Sequence, residues 1–147
     1  MEIDKKVVEY HIQKDRYSCI PSAVELVLKL LKKVPLNYYE LQDIWSNKQN
    51  GSFADFDGKT IENVTFTRRY NLTLKKLLEV VDEELKSNRF VIIPLPLGSE
   101  AHCYVIYGKD NDDYLAVAKL WRNPYPAFIN NVKKRIGPID ILTYKVV

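Results

Sequence analysis

Cysteine, histidine and methionine are scarce in this chain of 147 residues: two, two and one. Two cysteines without a secretion signal exclude a disulfide-stapled scaffold and predict reduced thiols. Long apolar runs are also missing. None approaches the ~18 residues of a membrane-crossing helix, so no membrane span is expected. The opening residues, Met-Glu-Ile-Asp-Lys-Lys, lack the apolar stretch of a signal peptide, which predicts a cytoplasmic location. The glycosylation patterns at Asn63-Val-Thr65 and Asn71-Leu-Thr73 then read as chance matches. Nor is there an excess of one charge. The net +3 comes from scattered clusters such as Lys32-Lys33, Lys75-Lys76 and Lys133-Lys134-Arg135, which read as solvated faces with no nucleic-acid partner expected. Low complexity, internal repeats and linkers are absent. With 46% apolar and 28% charged residues, the chain reads as one globular domain over residues 1–147.

What is present begins with Gln13-Lys-Asp-Arg-Tyr-Ser-Cys19-Ile-Pro21, followed by an apolar helix from Ala23 to Leu31. Pro21 suits a first helical turn and Ser18 or Cys19 can cap it, so the helix starts at the thiol. Ser22, Glu25, Lys29 and Lys32 are its polar side. The helix dipole and unpaired N–H groups favour a thiolate at that end. Upstream, residues 6 to 12 mix β-branched and aromatic side chains and predict a short strand with His11 half exposed. Downstream, Asn37 is the expected cap of a short helix reaching Trp45, where Tyr38, Leu41 and Trp45 form a core stripe. Thr60 to Thr67 predicts a strand, and Thr73 caps an amphipathic helix over 74–87. The apolar run Phe90 to Leu95 predicts a central strand covered on both faces. His102 to Gly108 and Tyr114 to Ala118 predict an antiparallel hairpin, and residues 139–147 a final strand, with Pro124, Pro126 and Asn130 breaking the segment between. The whole is an α+β arrangement, helices followed by a mostly antiparallel sheet.

The glutamine, the cysteine six residues later at the head of a buried helix, and the histidine opening a strand together resemble a papain-like cysteine peptidase. The nearest likeness is the compact bacteriocin-processing (double-glycine) peptidase group. Cys19-Ile-Pro-Ser22 stands for a motif that usually reads Cys-Gly-Pro-Ala, and His102 to Gly108 follows Val91-Ile-Ile-Pro as the family's histidine strand does. The resemblance implies a papain-like fold, a thiol hydrolase for peptide or isopeptide bonds, and a peptide or protein substrate with small residues before the scissile bond. It implies neither cofactor nor metal. Cys19 is the expected nucleophile, His102 the base and later proton donor, and Gln13 the side-chain donor that joins the Cys19 N–H at the oxyanion. His11 is a weaker candidate base. Because side chains alternate along a strand, Cys103 is expected to point away from Cys19 if His102 faces it, as a buried apolar residue.

Two positions depart from the family. The third catalytic member, usually Asp or Asn, falls by spacing on Lys119, which cannot accept from an imidazole and would repel an imidazolium. Asn123 takes the part if the strand carries a four-residue shift, with a backbone carbonyl or Asp113 as substitutes. Ile20 replaces a glycine where substrate should approach. These departures set the competing expectation, a peptide-binding module that is catalytically weak or inactive.

Overall fold

The computed structural model describes residues 2–137 and 139–147. Three helices come first, α1 (Lys5–Tyr10), α2 (Cys19–Leu30) and α3 (Glu40–Trp45), and a fourth, α4 (Leu74–Lys86), lies between strands. The strands are β1 (Thr60–Ile61), β2 (Val64–Arg69), β3 (Val91–Leu97), β4 (Glu100–Asp110), β5 (Asp113–Lys119), β6 (Pro126–Ile129) and β7 (Ile141–Val146). They form one sheet in the order β1-β2-β7-β3-β4-β5-β6, with every neighbouring pair antiparallel. The fold is α+β, as the order of elements predicts.

β3 is the middle strand, and its apolar run is continuous because both faces are covered. Ile92 joins Val105, Val117 and Leu142 under α1 and α2. Val91, Ile93 and Leu95 join Tyr104, Ile106 and Tyr114 against Leu77, Val80 and Val81 of α4. α4 starts where predicted, with the Thr73 hydroxyl accepting from Lys76 N–H at 3.2 Å.

Three expectations are corrected. Residues 5–10 are a helix rather than a strand: Asp4 caps it by accepting from the N–H of Lys6 and Val7, and burial of Val7 and Val8 outweighs their β preference. The cap of α3 is the Glu25 carboxylate of α2, which accepts from the N–H groups of Leu41 and Gln42, and not Asn37. Pro126 does not end pairing. It opens the edge strand β6, where a missing N–H breaks no ladder.

Ser22, Glu25 and Lys29 on the polar side of α2 are buried too, because each has a partner, while Lys32, past the end of the helix, is exposed. His11, fully buried, accepts at Nδ1 from Lys29 Nζ at 2.8 Å, so its Nε2–H donates to the Ser22 carbonyl at 2.9 Å. Lys29 Nζ also lies 3.7 Å from the centre of the Tyr39 ring. Burial first, and the Lys29 charge second, lower the His11 pKa to about 3. An imidazole that titrates near 6.5 in the unfolded chain and about 3 in the folded one leaves stability intact above 6.5 and withdraws it as pH falls toward 3. Urea unfolding across this window should show the stability gap between wild type and His11→Gln shrinking with acidification, by up to about 1.4 kcal/mol per pH unit. A gap independent of pH would show that His11 is not held neutral.

Candidate functional site

The site is built from the loop that enters α2 and the two β strands under it. Gln42 of α3 holds the loop, accepting from Lys14 N–H at 2.7 Å and donating to the Ile12 carbonyl at 2.9 Å. Its amide also donates to Glu25 Oε1 at 2.7 Å. Burial pushes the Glu25 carboxyl up to about 7, against the pull of the Gln42 donors and of Lys29. Farther along, Tyr17 N–H reaches Asn47 Oδ1 and Trp45 Nε1–H reaches the Tyr17 carbonyl. Gln13 lies inside this loop. Its Nε2 donates to the carbonyls of Asp15 at 2.8 Å and Arg16 at 3.3 Å, so both amide hydrogens are used by the loop, while its buried Oε1 has no partner.

Cys19 is the first residue of α2, after Ser18. Its neighbour is Cys103, whose Sγ lies 3.6 Å from the Cys19 Sγ. The predicted orientation of Cys103 is therefore reversed. Alternation along β4 holds, but Cys103 and Val105 face α2, while His102 stacks edge-on to Tyr104, which packs on the α4 side. Pairing agrees: Cys103 lies opposite Pro94, and His102 opposite Leu95 of the α4-side core. Among the described residues no hydrogen bond joins Cys19 to His102. The Cys103 S–H and the backbone N–H groups of Cys103, Cys19 and Ile20 hold the Cys19 thiol at about 7 despite burial. The same contact pushes the Cys103 thiol up, and burial adds to the shift.

His102 Nε2–H donates to the Lys119 carbonyl at 3.3 Å, which leaves Nδ1 as the basic nitrogen. Burial lowers its pKa, with the Lys119 carbonyl acting against the shift. The imidazole is thus oriented from residue 119, the position where an acid or amide is expected by spacing, but by the main chain. Lys119 Nζ turns away and donates to the carbonyls of Glu9 at 3.0 Å and Pro124 at 2.9 Å, tying α1 to the β5–β6 turn. Asn123 is corrected. β5 carries no four-residue shift, and the exposed Asn123 side chain accepts from Tyr125 N–H within the turn. Asp113 sits at the other end of β5, accepting from Tyr114 and Lys133 N–H.

Cys19, Cys103 and His102 line one cleft of about 430 Å³, with Ile20, Tyr17, Trp45 and Leu97 among its walls. Arg16 from the loop and Glu100 from β4 pair at 3.0 Å between two of its walls. Gly51 completes a wall by lying against Trp45, since a Cβ there would come within 1.9 Å of the indole. Cys103 as the partner of Cys19 is the residue whose expected place is corrected. The expected stripe of Tyr38, Leu41 and Trp45 does pack against the core, and Trp45 lines the cleft as well, a second role that helical spacing does not reveal. No family model, no curated protein and no solved structure matches this chain.

Alkylation of Cys19 followed against pH should inflect at about 7 in the wild type. In Cys103→Ala the inflection should move up toward the ordinary thiol value of about 8.5. An unmoved inflection would show that the helix terminus alone ionises the thiol.

Proposed function

We propose that this chain is a thiol hydrolase of papain-like fold that cleaves a peptide or isopeptide bond through a Cys19 acyl-enzyme. The observation that carries this reading is an ionisable thiol, lowered to about 7, at the head of a helix and open to a peptide-sized cleft that His102 also lines. A thiolate present at neutral pH needs no base for the attack itself. Its sulfur bonds the carbonyl carbon, and the oxyanion that forms meets the Cys19 backbone N–H, a donor of the first helical turn that the sulfur releases as its charge is lost. The Gln13 amide joins it by giving up its longer bond, the one to Arg16. His102, turning Nδ1 toward the bound substrate, takes up a proton from solvent at Nδ1 and passes it to the leaving amine; the ring, neutral again, then draws the proton from the water that hydrolyses the thioester as the Cys19 thiolate leaves.

The second reading is a peptide-binding module that does not turn over. It is favoured by the absence of a Cys19–His102 hydrogen bond and by the commitment of both Gln13 amide hydrogens. Intact mass of the protein after incubation with a library of fluorogenic peptide amides separates the two. The hydrolase reading expects an acyl adduct on Cys19, absent in Cys19→Ala, and a kcat lowered about 10²–10⁴-fold in His102→Ala. Saturable peptide binding that is equal in wild type and Cys19→Ala, with no adduct and no cleavage, would establish the binding module.

A further inference from the structure

We infer that Cys19 and Cys103 form a peroxide-responsive dithiol that closes reversibly to a disulfide. The two sulfurs already touch at 3.6 Å, and both residues are free thiols. They come from segments far apart in sequence, so the contact is made by the fold and not by chain proximity. Access is divided between them. Both line the cleft, but Cys19 is half-buried whereas Cys103 is buried, with 5% of its surface exposed. An oxidant arriving through the cleft therefore meets Cys19 first. A disulfide needs the sulfurs to approach to about 2.05 Å. A small cavity of about 10 Å³ adjoins both side chains, bordered by Ala23, Leu26 and Val117, and gives the sulfurs room to move.

The chemistry runs in two steps. The Cys19 thiolate attacks one oxygen of hydrogen peroxide; the O–O bond breaks, hydroxide leaves, and the sulfur is oxidised to a sulfenic acid. The Cys103 sulfur then attacks the Cys19 sulfur; the S–S bond forms as the S–O bond breaks, and water leaves carrying the Cys103 proton. A dithiol reductant reverses the result by exchange. Raised thiolate character at Cys19 together with a resolving cysteine in contact is the arrangement that stops oxidation before the sulfinic acid. The regulatory consequence, that the disulfide removes the nucleophile, rests on the hydrolase reading; the disulfide itself does not.

The reduced full-length chain is treated with hydrogen peroxide near neutral pH, quenched with N-ethylmaleimide and weighed. Both thiols should be lost together in a monomer lighter by two hydrogens, with Cys19 and Cys103 linked in the peptide map and dithiothreitol restoring both. Cys103→Ser should instead trap dimedone at Cys19, and Cys19→Ser should leave Cys103 unreactive. A Cys19 sulfinic acid beside an alkylatable Cys103 in the wild type, or a link formed only between molecules, would overturn the proposal. Mass reports the disulfide without any substrate, so a chain that forms it yet cleaves nothing refutes the hydrolase reading alone. A disulfide-linked chain that still cleaves peptides refutes the regulatory consequence.

Discussion

The Glu25 carboxylate is the interaction on which the site depends. It is fully buried on α2 and accepts three N–H donors, two from the backbone at the start of α3 and one from the Gln42 side chain. A short helix such as α3 is not stable alone, and its first N–H groups need an acceptor. Glu25 supplies that acceptor from a different helix, so the position of α3 is set by α2. Gln42 then passes the constraint to the Ile12–Lys14 backbone, and Trp45 passes it to Tyr17. The loop that delivers Cys19 and one wall of the cleft are therefore placed by a single buried acid. Isolated, such a charge would be expensive to bury; the three donors offset part of that cost, leaving the carboxyl at about 7, and removing it would strand all three.

Two buried lysines close the structure in a related way. Lys29 donates to His11 and covers the Tyr39 ring, holding the end of α1 against α2. Lys119 donates to the carbonyls of Glu9 and Pro124. That choice explains how a cation beside the imidazole is compatible with an oriented histidine. With its ammonium group bound to two carbonyls, Lys119 leaves its own carbonyl as the acceptor for the imidazole, and this main-chain hydrogen bond fixes the tautomer.

The core strands, the amphipathic α4 and the helix starting at Cys19 were legible because their signals are local: continuous apolar residues, 3.6-residue spacing with a Thr cap, and a thiol before a proline turn. Elements fixed by distant partners were not. Lys5 to Tyr10 has β-branched residues, and the packing of Val7 and Val8, together with the Asp4 cap, makes it a helix. Ser22, Glu25 and Lys29 mark a solvent-facing stripe in sequence, because nothing local reveals that His11 and Gln42 will satisfy them. At the site, the sequence identified residues that do line one cleft, Cys19 and His102, but strand alternation fixes only relative faces. It shows that His102 and Cys103 point opposite ways without showing which one meets α2.

The face chosen has a chemical consequence. In a thiolate–imidazolium pair the proton leaves the sulfur for the ring, and the two groups titrate as one unit. Here the thiolate is held by an S–H donor and backbone N–H groups, and the imidazole sits on the neighbouring face, neutral, with its proton on the nitrogen facing Lys119. The protonation states of the thiol and the imidazole are therefore set by separate causes. Loss of the histidine would leave thiol reactivity intact, while loss of Cys103 would reduce it. Any electrophile that reaches this thiol, an acyl carbon or a peroxide oxygen, passes walls formed by Tyr17, Trp45 and the Arg16–Glu100 pair.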